Sequence, residues 1–190
     1  MAQPSTLYQF DVRLADVDRG IDKNFAIRTA RHPSETADRL WLRVLAFCWQ
    51  WQESLVFGPG LGEPDEPDLL TLGTDGSTRT LIMRVGRPRL ARIEKDCAQG
   101  AGARVAVLFE SPRQMEAVLA EARGGRPERL AAVDMAAVPE DLLRELARRD
   151  QRRTTLGLTI VDDHFYLEID QDNLDGALVR PGSARPETPS

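Results

Sequence analysis

Three carboxylates stand where they could serve a metal-assisted reaction on a phosphodiester. Glu35 precedes a long apolar run, and Glu66 and Asp68 open a short one in Glu66-Pro67-Asp68. Mg2+ and Mn2+ are hard ions that take oxygen ligands and share them with a phosphate, so a site of this kind gathers acids from separate elements. A cation beside them would orient the attacking water and offset developing charge. The next strand ends in Arg84-Val85-Gly86-Arg87-Pro88, which supplies cations and no acid. Arg89, Arg92 and Lys95 follow, and they could hold phosphates without a metal, the arginines in bidentate fashion.

Other chemistries fit the sequence less well. Gly58-Pro59-Gly60-Leu61-Gly62 lacks the Lys-Ser/Thr of a P-loop and runs into acids rather than a helix start. Asp170-Gln171-Asp172-Asn173-Leu174-Asp175-Gly176 resembles a calcium loop, but Leu174 fills its fifth position, the glycine is one place late, and Pro181 stands where a bidentate glutamate belongs. That segment reads as a solvated turn. No Ser lies in a Gly-x-Ser-x-Gly frame, and neither His32 nor His164 has an evident partner. Cys48 and Cys97 are far apart, with no Cys or His at metal spacing, which argues against a zinc site and a disulfide framework.

The elements that must position these residues come from periodicity. Residues 7–14 put Tyr8, Phe10, Val12 and Leu14 on one face of a strand, and 24–29 repeat the alternation, with Gly20 in the link between. Ser34 reads as an N-cap, followed by acids at Glu35 and Asp38, and Leu40, Val44, Phe47, Cys48 and Trp51 then recur at helical spacing. This is the central helix, and it carries Trp41, Trp49 and Trp51. After the 58–67 loop, residues 68–72 and 78–85 form a hairpin around Asp75-Gly76, and Leu90, Ile93 and Cys97 mark a helix ending at Gly100. Residues 104–109 read as a buried strand, and Ser111-Pro112-Arg113-Gln114 as a capping box opening a helix that breaks at Gly124-Gly125. A strand over 130–135, a helix over 139–149 and a hairpin of 154–161 with 165–169 complete the order. The fold class is α/β (α+β), three layers around a mixed sheet with N-terminal and C-terminal hairpins.

At 190 residues, 42% of them hydrophobic, the chain suits one domain, set at 1–180, with 181–190 a disordered tail. It has no apolar run long enough to span a bilayer, and its first ten residues lack a secretory pattern, so the expected compartment is the cytoplasm, away from any membrane. Thirty acids against 25 bases give a net charge of −5, which argues against coating nucleic acid by bulk charge. The charge is, however, segregated. From 60 to 75 every charged residue is acidic (Glu63, Asp65, Glu66, Asp68, Asp75), whereas from 84 to 104 Arg84, Arg87, Arg89, Arg92, Lys95 and Arg104 outnumber Glu94 and Asp96.

Several blocks together resemble the YaeQ family: Ala30-Arg31-His32-Pro33-Ser34-Glu35-Thr36, Arg43-Val44-Leu45-Ala46-Phe47, Asp65-Glu66-Pro67-Asp68 and Val85-Gly86-Arg87-Pro88. Leu14-Ala15-Asp16-Val17-Asp18-Arg19 and Asp172-Asn173-Leu174 extend the likeness to about Val179. The resemblance implies a bacterial cytoplasmic protein on a compact variant of the PD-(D/E)xK, restriction-endonuclease-like fold, whose helix, hairpin, helix, strand order agrees with the elements above. There an acid on the second strand and an acid-x-Lys on the third hold the metal. Carried over, it keeps Glu35 and Asp68 as candidate ligands. The third-strand acid aligns with Arg84, and Pro-acid-acid is replaced by Pro88-Arg89-Leu90.

A unit cation about 4 Å from a divalent ion costs about 8 kcal/mol at an effective dielectric near 20. The favoured reading is therefore a nuclease-like scaffold without a metal cofactor, binding nucleic acid or a protein partner, with Glu35, Asp68, Arg84 and Arg87 as the degenerate site. The alternative is a Mg2+- or Mn2+-dependent nuclease using Asp68, Glu35 and Glu66. Arg84 has two expected placements: a salt bridge to Asp68 in the space a metal would fill, or solvent.

Overall fold

The longest apolar run becomes the helix on which the rest of the molecule packs. The computed structural model describes residues 5–60, 63, 65–99 and 102–182. The chain begins with β1 (Thr6–Asp16), β2 (Ile21–Arg31) and α1 (Ala37–Trp49). It continues through β3 (Val56–Phe57), β4 (Leu69–Leu72), β5 (Arg79–Gly86), α2 (Leu90–Gln99), β6 (Arg104–Phe109) and α3 (Pro112–Arg123). A 3-10 turn at Pro127–Leu130 leads to β7 (Asp134–Ala137) and α4 (Glu140–Ala147), and β8 (Arg153–Val161), β9 (His164–Ile169) and β10 (Asp172–Ala177) close the order.

The mixed α/β class is as expected, but the strands divide into two five-stranded sheets, β10-β9-β8-β1-β2 and β3-β4-β5-β6-β7. Each contains parallel pairs: β1 with β8 in the first, β5 with β6 and β6 with β7 in the second. One face of the first sheet (Phe10, Val12 and Leu14 of β1, Leu156 and Leu158 of β8, Phe165 and Leu167 of β9) packs on α1, where Phe10 meets Trp41 edge-on at 5.1 Å between ring centroids. The other side of α1 meets Leu81, Met83 and Val85 of β5. The far face of the second sheet (Ile82, Val105, Val107, Phe109) is covered by Ile93 of α2 and Met115 and Val118 of α3. Helix α1 is thus sandwiched between sheets and buried almost all round, the environment that a helix apolar on nearly every face from Leu40 onward requires.

The signals closest to the backbone held. Ser111 caps α3 by accepting from the Gln114 N–H, with Pro112 in the first turn. Four expectations are corrected. The cap of α1 is Thr36, whose Oγ1 accepts from the Arg39 N–H at 3.3 Å, because a turn closed by Glu35 N–H to the His32 carbonyl (2.8 Å) delays helix entry past Ser34. Helix α1 ends before Trp51, which is half-buried outside it. The strand expected over 130–135 lies at Asp134–Ala137, because 127–130 wind into the 3-10 turn. Residues 172–177 are an edge strand rather than a turn, since Asp170 with φ 57° reverses the chain onto β9. Most of the tail, 183–190, and Leu61, Gly62 and Gly100 lie outside the described residues. No helix among the described residues is long and apolar enough to cross a membrane.

Candidate functional site

A cleft of about 490 Å3 opens where β5 ends and α2 begins, and its wall includes Thr36, Arg39, Asp68, Arg84, Arg87 and Arg89. Gly86, with φ 88°, lets the chain leave the sheet for Arg87-Pro88-Arg89 in a conformation other residues rarely adopt. Asp68, just ahead of β4, is 7% exposed. Its Oδ2 accepts from the Val85 N–H at 2.9 Å, and its Oδ1 is paired with Arg39 of α1. Burial raises the Asp68 carboxyl above its ordinary range, although Arg39, the Val85 N–H and Arg84 pull the other way.

Each remaining acid has its own arginine. Glu35 is held in a bidentate pair by Arg43, with Nε–Oε1 2.8 Å and Nη2–Oε2 2.9 Å, and both side chains are almost wholly buried. Arg43 also donates to Thr29 Oγ1 and the Ala30 carbonyl, each at 2.9 Å. The physical cause lies in α1: a helix buried on all sides can accommodate a guanidinium only if its counter-ion is buried with it. Glu35 is absent from the cleft wall. Glu66 does line the cleft, but its carboxylate accepts from Arg79 Nη2 at 2.6 Å.

Arg84 takes neither expected placement. It is 5% exposed, and its Nε and Nη2 donate to Asp96 of α2 at 2.5 and 2.9 Å. It also donates to the Glu66 and Asp65 carbonyls at 2.9 and 3.0 Å, so it ties the Glu66-Pro67-Asp68 segment to α2. The residues present do not fit a divalent ion: Glu35 faces Arg43, Asp68 faces Arg39, Glu66 faces Arg79, and Arg84 of β5 is a cation already paired with Asp96. Among the described residues no group of three His, Cys, Asp or Glu side chains could hold a metal.

The basic residues differ in availability. Arg87 is paired with Glu110, yet its side chain is 68% exposed. Arg89 is exposed, and its side chain has no hydrogen bond or ion pair among the described residues. Arg92 and Lys95 are both drawn to Asp65, whose carboxyl they hold below its usual range, Arg92 chiefly. Arg39 Nη1 is buried without a hydrogen-bond partner among the described residues. Sequence reasoning missed Thr36, Arg39, Asp96 and Glu110. A signal for two of them existed: Arg39 lies one helical turn before Arg43 in an otherwise apolar run, and Asp96 lies three residues after inward-facing Ile93. Cys48 offers no nucleophile, because full burial pushes its thiol up to about 12.

The family sequence model described as "YaeQ protein" matches residues 1–177. The chain belongs to the YaeQ family. It is 31% identical over 175 residues to the uncharacterized protein YaeQ of Escherichia coli K12, covering 92% of this chain and 94% of that one, and equally so to the uncharacterized YaeQ of Salmonella typhi. Among solved structures, YaeQ of Pseudomonas syringae superposes with a TM-score of 0.80 at 30% identity, covering 93% of this chain and 96% of the other. YaeQ of Xanthomonas axonopodis pv. citri superposes with a TM-score of 0.83 at 24% identity, covering 92% and 97%. YaeQ membership thus accounts for the fold from β1 to β10 and brings no assigned activity with it.

Proposed function

We propose that this chain is a non-catalytic module on a PD-(D/E)xK-type scaffold, and that its arginine-lined cleft binds the phosphates of nucleic acid. The observation that carries the reading is the pairing pattern: each candidate ligand acid is occupied by a different arginine, while Arg87 and Arg89 stand exposed on the same cleft. The order α1, β3, β4, β5, α2, β6 supports the scaffold, because it repeats the helix, antiparallel strands, helix, strand order of that fold. A nucleic acid suits an overall acidic chain here because the attraction is local to the cleft.

The test is incubation with end-labelled single- and double-stranded oligonucleotides in Mg2+ and in Mn2+, read for retardation and for cleavage together. Retardation without cleavage is expected. Cleavage that Asp68→Ala abolishes would overturn the reading in favour of a metal-dependent nuclease using Asp68 and Glu66, which do share this cleft. Absence of binding to either oligonucleotide would overturn the nucleic-acid assignment and leave a protein partner for the cleft.

A further inference from the structure

Strand β2 is the outer strand of the first sheet, and its free edge is long and regular. It pairs with β1 through an unbroken register from Thr6↔Arg31 to Asp16↔Ile21, with no bulge and no proline. Edges of this kind are normally blunted, because a row of unpaired N–H and C=O groups is a template for another strand.

The direction of those groups follows from β1. The Gln9 and Val17 N–H groups donate to the Arg152 and Ile160 carbonyls on the β8 side, so odd-numbered β1 residues face β8 and even-numbered ones face β2. Through the register, the odd-numbered residues of β2 bond to β1. Asp22, Asn24, Ala26, Arg28 and Ala30 therefore carry their backbone groups on the open edge, and all five are exposed. The Ala30 carbonyl is already taken by Arg43 Nη2, which closes the edge at that end.

We infer that β2 is a homodimerisation edge, pairing antiparallel with β2 of a second copy about a two-fold axis through Phe25. Two outward residues can exchange ladder bonds only if both are even-numbered, so the axis must fall on a residue rather than between residues. With the axis on Phe25, Asn24 pairs with Ala26 of the second copy and Asp22 with its Arg28, each twice by symmetry. Asp22 and Arg28 take no part in the salt bridges of the described residues, unlike Arg13 and Arg31 of the same strand pair, and this register alone sets each against the opposite charge. Moving the axis to Asn24 or Ala26 puts Asp22 opposite an alanine. A self-complementary patch is what a two-fold, isologous interface requires. At the axis, Phe25, half-buried beside Trp51 at 5.9 Å between ring centroids, meets its own mate across the strands.

Sedimentation velocity over a dilution series tests the inference. The wild type is expected to dimerise. Asp22→Arg and Arg28→Asp, which place like charges opposite each other twice, each weaken the dimer about tenfold or more. The double variant D22R/R28D restores it. Ala26→Pro removes an outward N–H that the β1 ladder does not use, so it should give a folded monomer, checked by circular dichroism. A wild type that is monomeric throughout, a dimer indifferent to these substitutions, or single variants not rescued by the double would each overturn the inference. So would a monomer whose β2 edge instead takes up an added β-strand peptide.

Discussion

Replacing Glu35 with glutamine separates a structural role from a catalytic one. The substitution keeps the shape of the side chain but removes the charge facing Arg43, leaving a guanidinium that is itself almost wholly buried. Arg43 would retain Thr29 Oγ1 and the Ala30 carbonyl, neither of which carries compensating charge. Breaking one side of a buried pair costs about 3–5 kcal/mol, because the remaining charge keeps its desolvation cost. For a chain of this size each kcal/mol lowers Tm by about 2–4 °C, so Glu35→Gln should fall by about 6–20 °C. Urea denaturation should show a lower midpoint with an unchanged slope. Glu35→Leu combined with Arg43→Met, which removes both charges, should recover most of the loss. A Glu35→Gln protein as stable as the wild type, or more so, would refute the reasoning and return Glu35 to the list of functional carboxylates.

Three further outcomes follow from the same geometry. Arg84→Ala leaves Asp96 buried without its partner and frees the Asp65 and Glu66 carbonyls. It should cost about 3–5 kcal/mol and show as faster hydrogen exchange of the α2 amides. Thr36→Ala should cost about 1 kcal/mol in denaturant midpoint, and Ser34→Ala far less, because only Thr36 accepts from a first-turn N–H. Asp68→Asn should change the pH dependence of stability. The raised carboxyl of the wild type contributes stability that is present below the unfolded-state value of about 3.9 and is lost as pH rises through its folded value. Denaturant titrations across that range should therefore show the Asp68→Asn variant gaining on the wild type with increasing pH, and a constant difference would contradict this.

What was legible in the sequence was what local chemistry decides. Residues 104–109 form a strand with those bounds because a short β-branched run between a turn and a cap has few other uses, and Ser111-Pro112 fixes α3 by hydrogen bonding within four residues. The division into two sheets was not legible, since β1 is joined to β8 from the opposite end of the chain by tertiary packing. β10 was missed because Asp172-Asn173-Leu174-Asp175-Gly176 has little strand propensity of its own, and pairing with β9 decides its state. In the site, residue types were readable but partners were not. That Arg84 opens a basic stretch after an acidic one shows in the sequence. That its counter-ion is Asp96, inside the same basic stretch, depends on α2 folding back over β5.

The most direct test of an arginine cleft that holds phosphates without cutting them is the salt dependence of oligonucleotide binding, measured by fluorescence anisotropy for the wild type and for Arg87→Glu with Arg89→Glu. Each lost phosphate contact reduces the slope of log K against log salt by about 0.7–0.9. The double variant is therefore predicted to bind more weakly at every salt concentration, with a slope shallower by roughly 1.5. Equal slopes and affinities for the two proteins would contradict the account.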